Sequence, residues 1–144
     1  MLKLTNPLSE SSDLSQFKIG HSEVYQFDCT LMENTNLGSN DSCICGLFTI
    51  SSNGVNGRVE YRMPNVTEHF DLIHWASVFM HLKGLSIEDA FVFIRSNNES
   101  WGSYRQMIAE YALLDLSANL QNPSNNLTID RSFLFTRSQA YFSF

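Results

Sequence analysis

The chain has 144 residues, of which 43% are hydrophobic and 12% aromatic, and this is enough apolar material for one domain with a single buried core. The formal net charge is −6, and the Lys and Arg residues number only nine and are dispersed along the sequence. Such a distribution provides no basic stripe to follow a phosphate backbone, so nucleic acid is excluded as an expected partner.

The N-terminal stretch MLKLTNPLSESSDLSQF contains no apolar run of signal-peptide length. No later segment has the roughly 18 uninterrupted apolar residues of a membrane span. The sequence therefore predicts a soluble cytoplasmic protein. Residues 1–16 are rich in Ser, Asn and Asp with weak periodicity, which indicates a polar N-terminal arm, and residues 17–144 form the predicted domain.

Three strands are predicted in the first half of this domain. Residues 18–31 alternate imperfectly between polar and apolar side chains, as expected for a half-buried strand. A polar loop at residues 32–40 precedes DSCICGLFTISS, an almost continuous apolar run that is typical of a central strand. Gly54 and Gly57 then turn the chain into a third strand, RVEYRM. Short connections between these strands predict an antiparallel meander.

The cysteines and histidines are candidate metal ligands. Cys43 and Cys45 form a C-x-C pair on one face of a predicted strand, and Cys29 leaves the total odd. No second C-x-C or adjacent His completes a four-ligand set, so small buried side chains are favoured over a metal or redox pair. His74 and His81 share a face of a predicted helix, and without a neighbouring Cys or acid an ordinary amphipathic helix is again favoured.

The hydrophobic period changes from about 2 to about 3.6 after Pro64, which predicts a helical second half. The first helix is expected to begin with Thr67 as its N-cap and to stop at Gly84. Ser86 and Asp89 have the spacing of a capping box, which predicts the start of a second, shorter helix.

A third and longest helix is predicted from near Ser100 or Ser103 to about Leu120. Asp115 lies on the predicted core-facing stripe of this helix. A carboxylate at such a position must accept hydrogen bonds from nearby donors or face a cleft. The favoured interpretation is a structural Asp bonded to backbone amides or an Arg, and the alternative is a catalytic or ligand-binding Asp. The apolar and small members of the predicted stripe are Tyr104, Met107, Ile108, Tyr111, Ala112 and Ala118.

Beyond Pro123, the segment SFLFTRSQAYFSF is interpreted as a last strand or extended segment that returns to the body of the domain. The predicted fold class is therefore α+β: a three-stranded antiparallel meander, a bundle of about three helices, and a C-terminal extended strand.

The glycine turn resembles one in the N-terminal capping domain of the enolase superfamily, in the mandelate racemase and muconate lactonizing branch. In that branch the second strand ends in Gly-x-x-Gly-x-Gly-Glu, and Gly54, Gly57 and Glu60 match this pattern. Arg58 stands where Trp is common, and Val59 stands where the third glycine would be.

The longest helix also resembles that family, whose helix reads Ala-Leu-Trp-Asp-Leu, then Gly-Lys and, a few residues later, Pro. The matching residues are Ala112, Leu113, Asp115, Leu116 and Pro123. The departures are Leu114 in place of the Trp, Ala118 and Asn119 in place of Gly-Lys, and a spacing to Pro about one residue short. The stretch HLKGLSIEDAFVFI is similar to the family's helix-to-helix junction, so the resemblance covers roughly residues 18–144.

The resemblance implies roles for several residues. In the family, two loops of the cap close over a barrel and help to choose the substrate; here these correspond to the segment from about Thr30 to Asn40 and to the region of Glu60. The cap-loop candidates are Glu60, Tyr61, Asn34 and Asn36. Gly54, Gly57 and Asp115 are structural turn and helix positions, and an exposed strand Glu is the competing interpretation of Glu60.

The family's acid/base residues and Mg²⁺ ligands lie on a C-terminal barrel that takes about 200 residues or more. This sequence contains no such barrel, no Gly-x-Ser-x-Gly elbow and no phosphate-binding Gly-Lys-Ser/Thr loop. We therefore expect no catalysis by this chain alone, no metal and no cofactor.

Three functions remain open. The favoured one is a free-standing, cap-like binding or self-association module, whose apolar face is covered by a second copy or by a separate protein chain. The aromatic tail FLFTRSQAYFSF favours it. The second is the cap subunit of a split enzyme with its barrel on another polypeptide, and the third is a domain of a longer enzyme.

Overall fold

The computed structural model describes residues 14–27, 44–63, 70–122 and 131–144. Four strands form one antiparallel sheet in these ranges: β1 His21–Phe27, β2 Ile44–Ser52, β3 Val55–Met63 and β4 Ala140–Ser143. Their order across the sheet is β3-β2-β1-β4, so β3 and β4 are the edge strands. The fold class is α+β.

The helices lie mainly between β3 and β4 in the sequence. They are α1 Leu72–Ala76, the 3-10 helix η1 Ser77–Leu82, α2 Ile87–Ser96, α3 Asn98–Trp101, α4 Ser103–Gln121 and α5 Arg131–Arg137. None of the helices in the described ranges is long and apolar enough to cross a membrane.

The turn between β2 and β3 has the geometry that its Asn-Gly sequence predicts. Asn53 has φ 58° and Gly54 has φ 79°, as in a type I′ turn, whose twist matches that of the flanking strands. Ser52 pairs directly with Val55 across it, and β2 also pairs antiparallel with β1. The predicted meander of three strands is therefore confirmed.

The C-terminal segment differs from the prediction of a single strand or extended segment. Only its last part is a strand: β4 pairs antiparallel with β1, with Tyr141 opposite Tyr25. The preceding RSFLFTR is α5, which packs Leu134 on the sheet and leaves Phe133 and Phe135 exposed. A seven-residue stretch with three adjacent apolar residues is too short for its period to separate helix from strand.

The first helical segment also begins and continues differently. The side chain of Asp71 caps α1 by accepting from the His74 N–H at 3.1 Å, whereas the predicted cap Thr67 lies outside the described residues. The chain then tightens into η1, and Gly84 follows with φ 86°, at the predicted stop. The Ser86 hydroxyl accepts from the Asp89 N–H at 3.0 Å, so the predicted N-cap of α2 is confirmed.

The main core lies between the helices and one face of the sheet, here termed the inner face. The sheet contributes Val24, Phe48 and Ile50, and α4 contributes Ile108, Ala109, Ala112, Leu113 and Leu116. Leu14, in the predicted arm, and Phe17, the first residue of the predicted domain, also pack against this core. On the opposite, outer face a smaller cluster joins Tyr25, Phe27 and Leu47 to Leu134 and Tyr141.

Candidate binding surface on helix α4

Helix α4 crosses β3 at Gly57, where the two backbones come into close contact. A Cβ atom on Gly57 would collide with Ala112 O and would lie 2.5 Å from Leu116 N. No side chain fits in that space, so Gly57 is required by helix packing, whereas Gly54 is required by the turn. Gly57 thus lies in β3, opposite Ile50, and is not part of the turn in which the sequence analysis placed it.

Side chains of α4 bind the outward backbone groups of β3. The Asp115 carboxylate accepts from the Arg58 N–H at 3.0 Å, and the Asn119 amide donates to Asn56 O at 2.8 Å. The Asn119 amide also lies 3.4 Å from Asp115 Oδ2. The acid that the sequence placed on the core-facing stripe therefore accepts from a backbone amide at the sheet edge.

Tyr104 extends this pattern toward the far end of β3. Its hydroxyl accepts from the Arg62 N–H at 2.8 Å and lies 2.6 Å from Arg62 O, to which it donates. Backbone groups on an edge strand are open to pairing with another strand unless something covers them. Because α4 covers β3 in this way, the β3 edge is protected at three of its residues.

The three charged side chains of α4 are all engaged within the protein. Asp115 is bound as described, and Glu110 accepts from Arg95 Nε at 3.3 Å. Arg105 donates to Trp101 O at 2.8 Å and to Trp75 O at 2.9 Å, and burial lowers the pKa of its guanidinium. Each of the three charged side chains of α4 therefore has a partner within the protein, and the Glu110–Arg95 pair is partly exposed to solvent.

The solvent face of α4 is apolar, in contrast to that of an ordinary surface helix. Met107, Tyr111 and Leu114, here termed the outer stripe, are spaced i, i+4 and i+7 and are 39%, 53% and 55% exposed. They lie opposite the buried residues of the same helix. An exposed apolar row opposite the buried face of a surface helix is typical of an interaction site, so the outer stripe is the candidate binding surface.

The outer stripe corrects the sequence analysis, which placed Met107, Tyr111 and Ala118 on the core-facing stripe. The structure leaves all three exposed, and the core is lined instead by residues such as Leu113 and Leu116. Since apolar residues occupy both sides of α4, the pattern has no unique phase. The sequence does contain a signal for this surface: α4 has more apolar residues than a single core-facing stripe can hold.

A second cluster of polar groups lies on the outer face of the sheet, around Glu23. Glu23 is 5% exposed; Tyr25 OH donates to its Oε1 at 2.8 Å, and Tyr141 OH lies 3.2 Å from its Oε2. The His21 Nε2 is 3.3 Å from the same Oε2. A buried carboxylate needs such donors, and here they also connect β4 to β1. The sequence analysis did not single out Glu23.

The cap-loop candidates do not form one site in the described part of the chain. Glu60 is exposed on the outer face of β3, whereas Tyr61 is buried on the inner face, where it donates to Tyr25 O at 2.8 Å. Desolvation by burial, the largest cause, raises the pKa of the Tyr61 phenol well above its usual value. Asn34 and Asn36 lie outside the described residues.

Of the side chains considered as metal ligands, the three that the structure describes form no metal-binding group. His74 and His81 are both exposed, and Cys45 is buried with its thiol 3.8 Å from Phe27 O. Cys29 and Cys43 lie outside the described residues. Within the ranges that the structure covers, no three His, Cys, Asp or Glu side chains are grouped closely enough to hold a metal ion.

Comparisons of this chain with models of protein families, with curated proteins and with solved structures find no significant match. The structure therefore defines the class of protein as an α+β domain in which one long helix covers the edge of a four-stranded sheet and leaves an apolar stripe exposed.

Proposed function

We propose that the protein is a non-catalytic, cap-like domain of the cytoplasm that acts by binding a protein chain through the outer stripe of α4. The observation that carries this proposal is that α4 is apolar on two opposite faces, of which only one is covered by the domain itself. Exposed apolar side chains are ordinary when scattered, but a row along one helix is typical of an interaction surface.

The energetics of the outer stripe are suited to protein binding. Full burial of a side chain such as Leu or Met is worth about 1.5–3 kcal/mol. Met107, Tyr111 and Leu114 are each already partly covered, so a partner gains only the remaining exposed part of each side chain. The three residues of the stripe are themselves uncharged, and the charged side chains of α4 already have partners within the protein, so burial of the stripe itself desolvates no unpaired charge.

Two contacts support the cap-like part of the proposal. The motifs that carry the resemblance are the glycine turn and the Asp-containing helix, and they lie against each other in this fold. Gly57, the second glycine of the motif, lies in β3 and contacts the backbone of α4 at Ala112, and Asp115 binds the backbone of Arg58 one residue after that glycine. Both motifs thus contribute to the same contact between α4 and β3.

The test is native purification of the tagged full chain from its source cells, followed by the mass of the complex and mass spectrometry of its components. Wild type is compared with Leu114→Gln, which puts an amide in the outer stripe, and with Val92→Gln, which changes a similarly exposed residue of α2. We expect a complex for wild type and for Val92→Gln, and its loss for Leu114→Gln. A monomeric wild type, or a complex that Leu114→Gln leaves intact, would refute the proposal.

The alternative function is that of the cap subunit of a split enzyme of the mandelate racemase and muconate lactonizing type. The exposure of Glu60 on β3 favours it, since a cap residue must be accessible to a substrate held by a separate barrel. Under this alternative the complex contains a barrel-sized protein at one-to-one stoichiometry, and Glu60→Gln alters the turnover measured with that protein. A complex made only of copies of this chain would rule it out.

A further inference from the structure

We infer that Asn53 is a site of covalent modification, at which the side-chain amide is converted to aspartate and isoaspartate through a cyclic imide formed with Gly54. The reaction needs only the chain itself and water. It involves no residue of the outer stripe, so the inference does not depend on the function proposed above.

The reaction joins groups of two adjacent residues. The backbone nitrogen of Gly54 gives up its proton to water and attacks Cγ of Asn53. A bond forms between this nitrogen and Cγ, the bond from Cγ to Nδ2 breaks, and Nδ2 takes up a proton and leaves as ammonia. Water then opens the imide ring: opening at Cγ gives Asp, and opening at the backbone carbonyl of Asn53 gives isoaspartate. No atom is oxidised or reduced.

The sequence offers this chemistry at two places, because Asn-Gly occurs at residues 53–54 and again at residues 56–57. Asn is a thermolabile side chain, and a following glycine leaves the attacking nitrogen uncrowded because it has no Cβ. The two pairs are therefore equally reactive by residue type. The structure separates them, because one lies in the turn between β2 and β3 and the other lies within β3.

The Asn53-Gly54 pair is at the open end of this hairpin. Ser52 pairs with Val55, so the Gly54 N–H lies in the loop and not between the strands. Asn53 and Gly54 are both exposed, and a Cβ on Gly54 would meet nothing within 4 Å. The amide and the attacking nitrogen therefore have room to rotate into contact, and water can reach them.

The Asn56-Gly57 pair is held in the ladder of β2 and β3. The Arg58 N–H points out of the sheet, toward Asp115. Because backbone groups alternate in direction along an antiparallel strand, the N–H of Gly57 points the opposite way, toward its partner Ile50 on β2. The nitrogen that would have to attack is thus committed to the sheet.

Helix α4 restrains the same pair from its other side. A Cβ on Gly57 would collide with Ala112 O, so the backbone there has no space in which to rotate. The Asn119 amide donates to Asn56 O at 2.8 Å and fixes the preceding residue. Imide formation at Asn56 therefore requires a local opening of β3, which makes it slower than at Asn53 by about tenfold or more.

The two products should affect the hairpin differently. Asp-Gly also suits a type I′ turn, so conversion to Asp keeps the turn and adds one negative charge to a chain whose net charge is −6. Isoaspartate carries the backbone through Cγ and so lengthens a two-residue loop. That product should weaken the pairing of Ser52 with Val55.

The experiment is prolonged incubation of the purified full chain in mildly alkaline buffer, with peptide mapping by mass spectrometry at intervals. Fragmentation locates each conversion and distinguishes isoaspartate from Asp. We expect conversion at Asn53 to be about tenfold faster or more than at Asn56, with isoaspartate among the products. The same incubation in urea is the control. There the fold is lost, and the two sites should react at rates that agree within a few-fold.

Two results in the folded chain would overturn the inference: Asn56 converting as fast as Asn53, or Asn53 keeping its amide while both sites convert in urea. A difference that persists undiminished in urea would overturn it as well, because the flanking residues and not the fold would then set the two rates. Failure of the outer-stripe complex in the purification from cells would leave this inference standing.

Discussion

The carboxylate of Asp115 on α4 accepts a hydrogen bond from the backbone N–H of Arg58 on β3, with Oδ2 and N 3.0 Å apart. The contact spans 57 residues of sequence and supplies an acceptor to an edge strand that pairs with another strand on one side only. It lies one residue from Gly57, the point at which the backbone of α4 touches the sheet. The long helix is thus fixed to the sheet both by shape and by a directed polar contact.

Loss of this carboxylate should destabilise the domain. We expect Asp115→Ala to lower the free energy of unfolding by about 1–3 kcal/mol, because the Arg58 N–H loses its acceptor. Asp115→Asn keeps an acceptor oxygen and should cost less. Urea unfolding of the three proteins measures both changes. If the Asp115→Ala variant were as stable as wild type, the hydrogen bond would contribute nothing to the stability of the fold.

Gly57 should tolerate no side chain. In Gly57→Ala the new Cβ meets the backbone of α4, which cannot move without shifting the whole helix, so we expect a loss of about 3 kcal/mol or more. Gly20→Ala is the matched control, since a Cβ there would lie 4.0 Å from its nearest neighbour, Ser51 O. That change should stay within about 1 kcal/mol of wild type. Equal effects of the two substitutions in thermal unfolding would contradict the packing argument.

Tyr61 should make the domain sensitive to alkali. Its pKa is raised in the folded state by desolvation first and by the nearby Cys45 second, whereas in the unfolded chain it ionises near pH 10. Above about pH 10 the unfolded state therefore binds fewer protons than the native state. The free energy of unfolding then falls by about 1.4 kcal/mol per pH unit, and below that pH this residue adds no pH dependence.

The measurement for Tyr61 is urea unfolding from neutral pH to about pH 11 for wild type and for Tyr61→Phe. The variant loses the hydrogen bond to Tyr25 O and should be about 1–2 kcal/mol less stable at neutral pH. Its stability should also decline less steeply in alkali. A variant with the same alkaline slope as wild type would show that Tyr61 is not the responsible group.

Tyr141 should hold the C-terminal strand in the sheet. Tyr141→Phe removes the hydroxyl that lies 3.2 Å from the Glu23 carboxylate and should weaken the pairing of β4 with β1 by about 1 kcal/mol. Amide hydrogen exchange in β4 and directly after it, for example at the Phe144 N–H that donates to Ser22 O, should become about fivefold faster.

The control for Tyr141 is Tyr104→Phe, which removes a hydroxyl at the opposite edge of the sheet. It should leave exchange in β4 unchanged and affect Arg62 instead. Protection in β4 that is the same in wild type and Tyr141→Phe would mean that the strand is held by its backbone pairing alone.

Features governed by neighbouring residues were predictable from the sequence. The Asn-Gly turn between β2 and β3 and the Ser86 cap of α2 each depend on interactions within about four residues. The sequence likewise predicts the start of α4 near Ser100 or Ser103, and the structure has it at Ser103. The enolase-like identity and the binding function stay predictions, which the experiments above address.

Features decided by distant partners were missed. The RSFLFTR segment became a helix because Leu134 packs on the outer face of a sheet whose other residues lie far away in the sequence. The Glu23 cluster requires Tyr141, 118 residues further on, to lie beside β1. No local pattern could connect these residues.

The sequence by itself determined the α+β class, the meander with its glycine turn, the N-terminal cap of α2 and the approximate extent of α4, because periodicity, caps and turn residues act locally. Only the tertiary structure decided which side of α4 is buried. Both sides of that helix are apolar, and the choice between them was made by Gly57, which admits the backbone of α4 in one orientation, and by Asp115, which reaches Arg58 in that same orientation. Met107, Tyr111 and Leu114 remain exposed because these two contacts turn the other face of the helix toward the core.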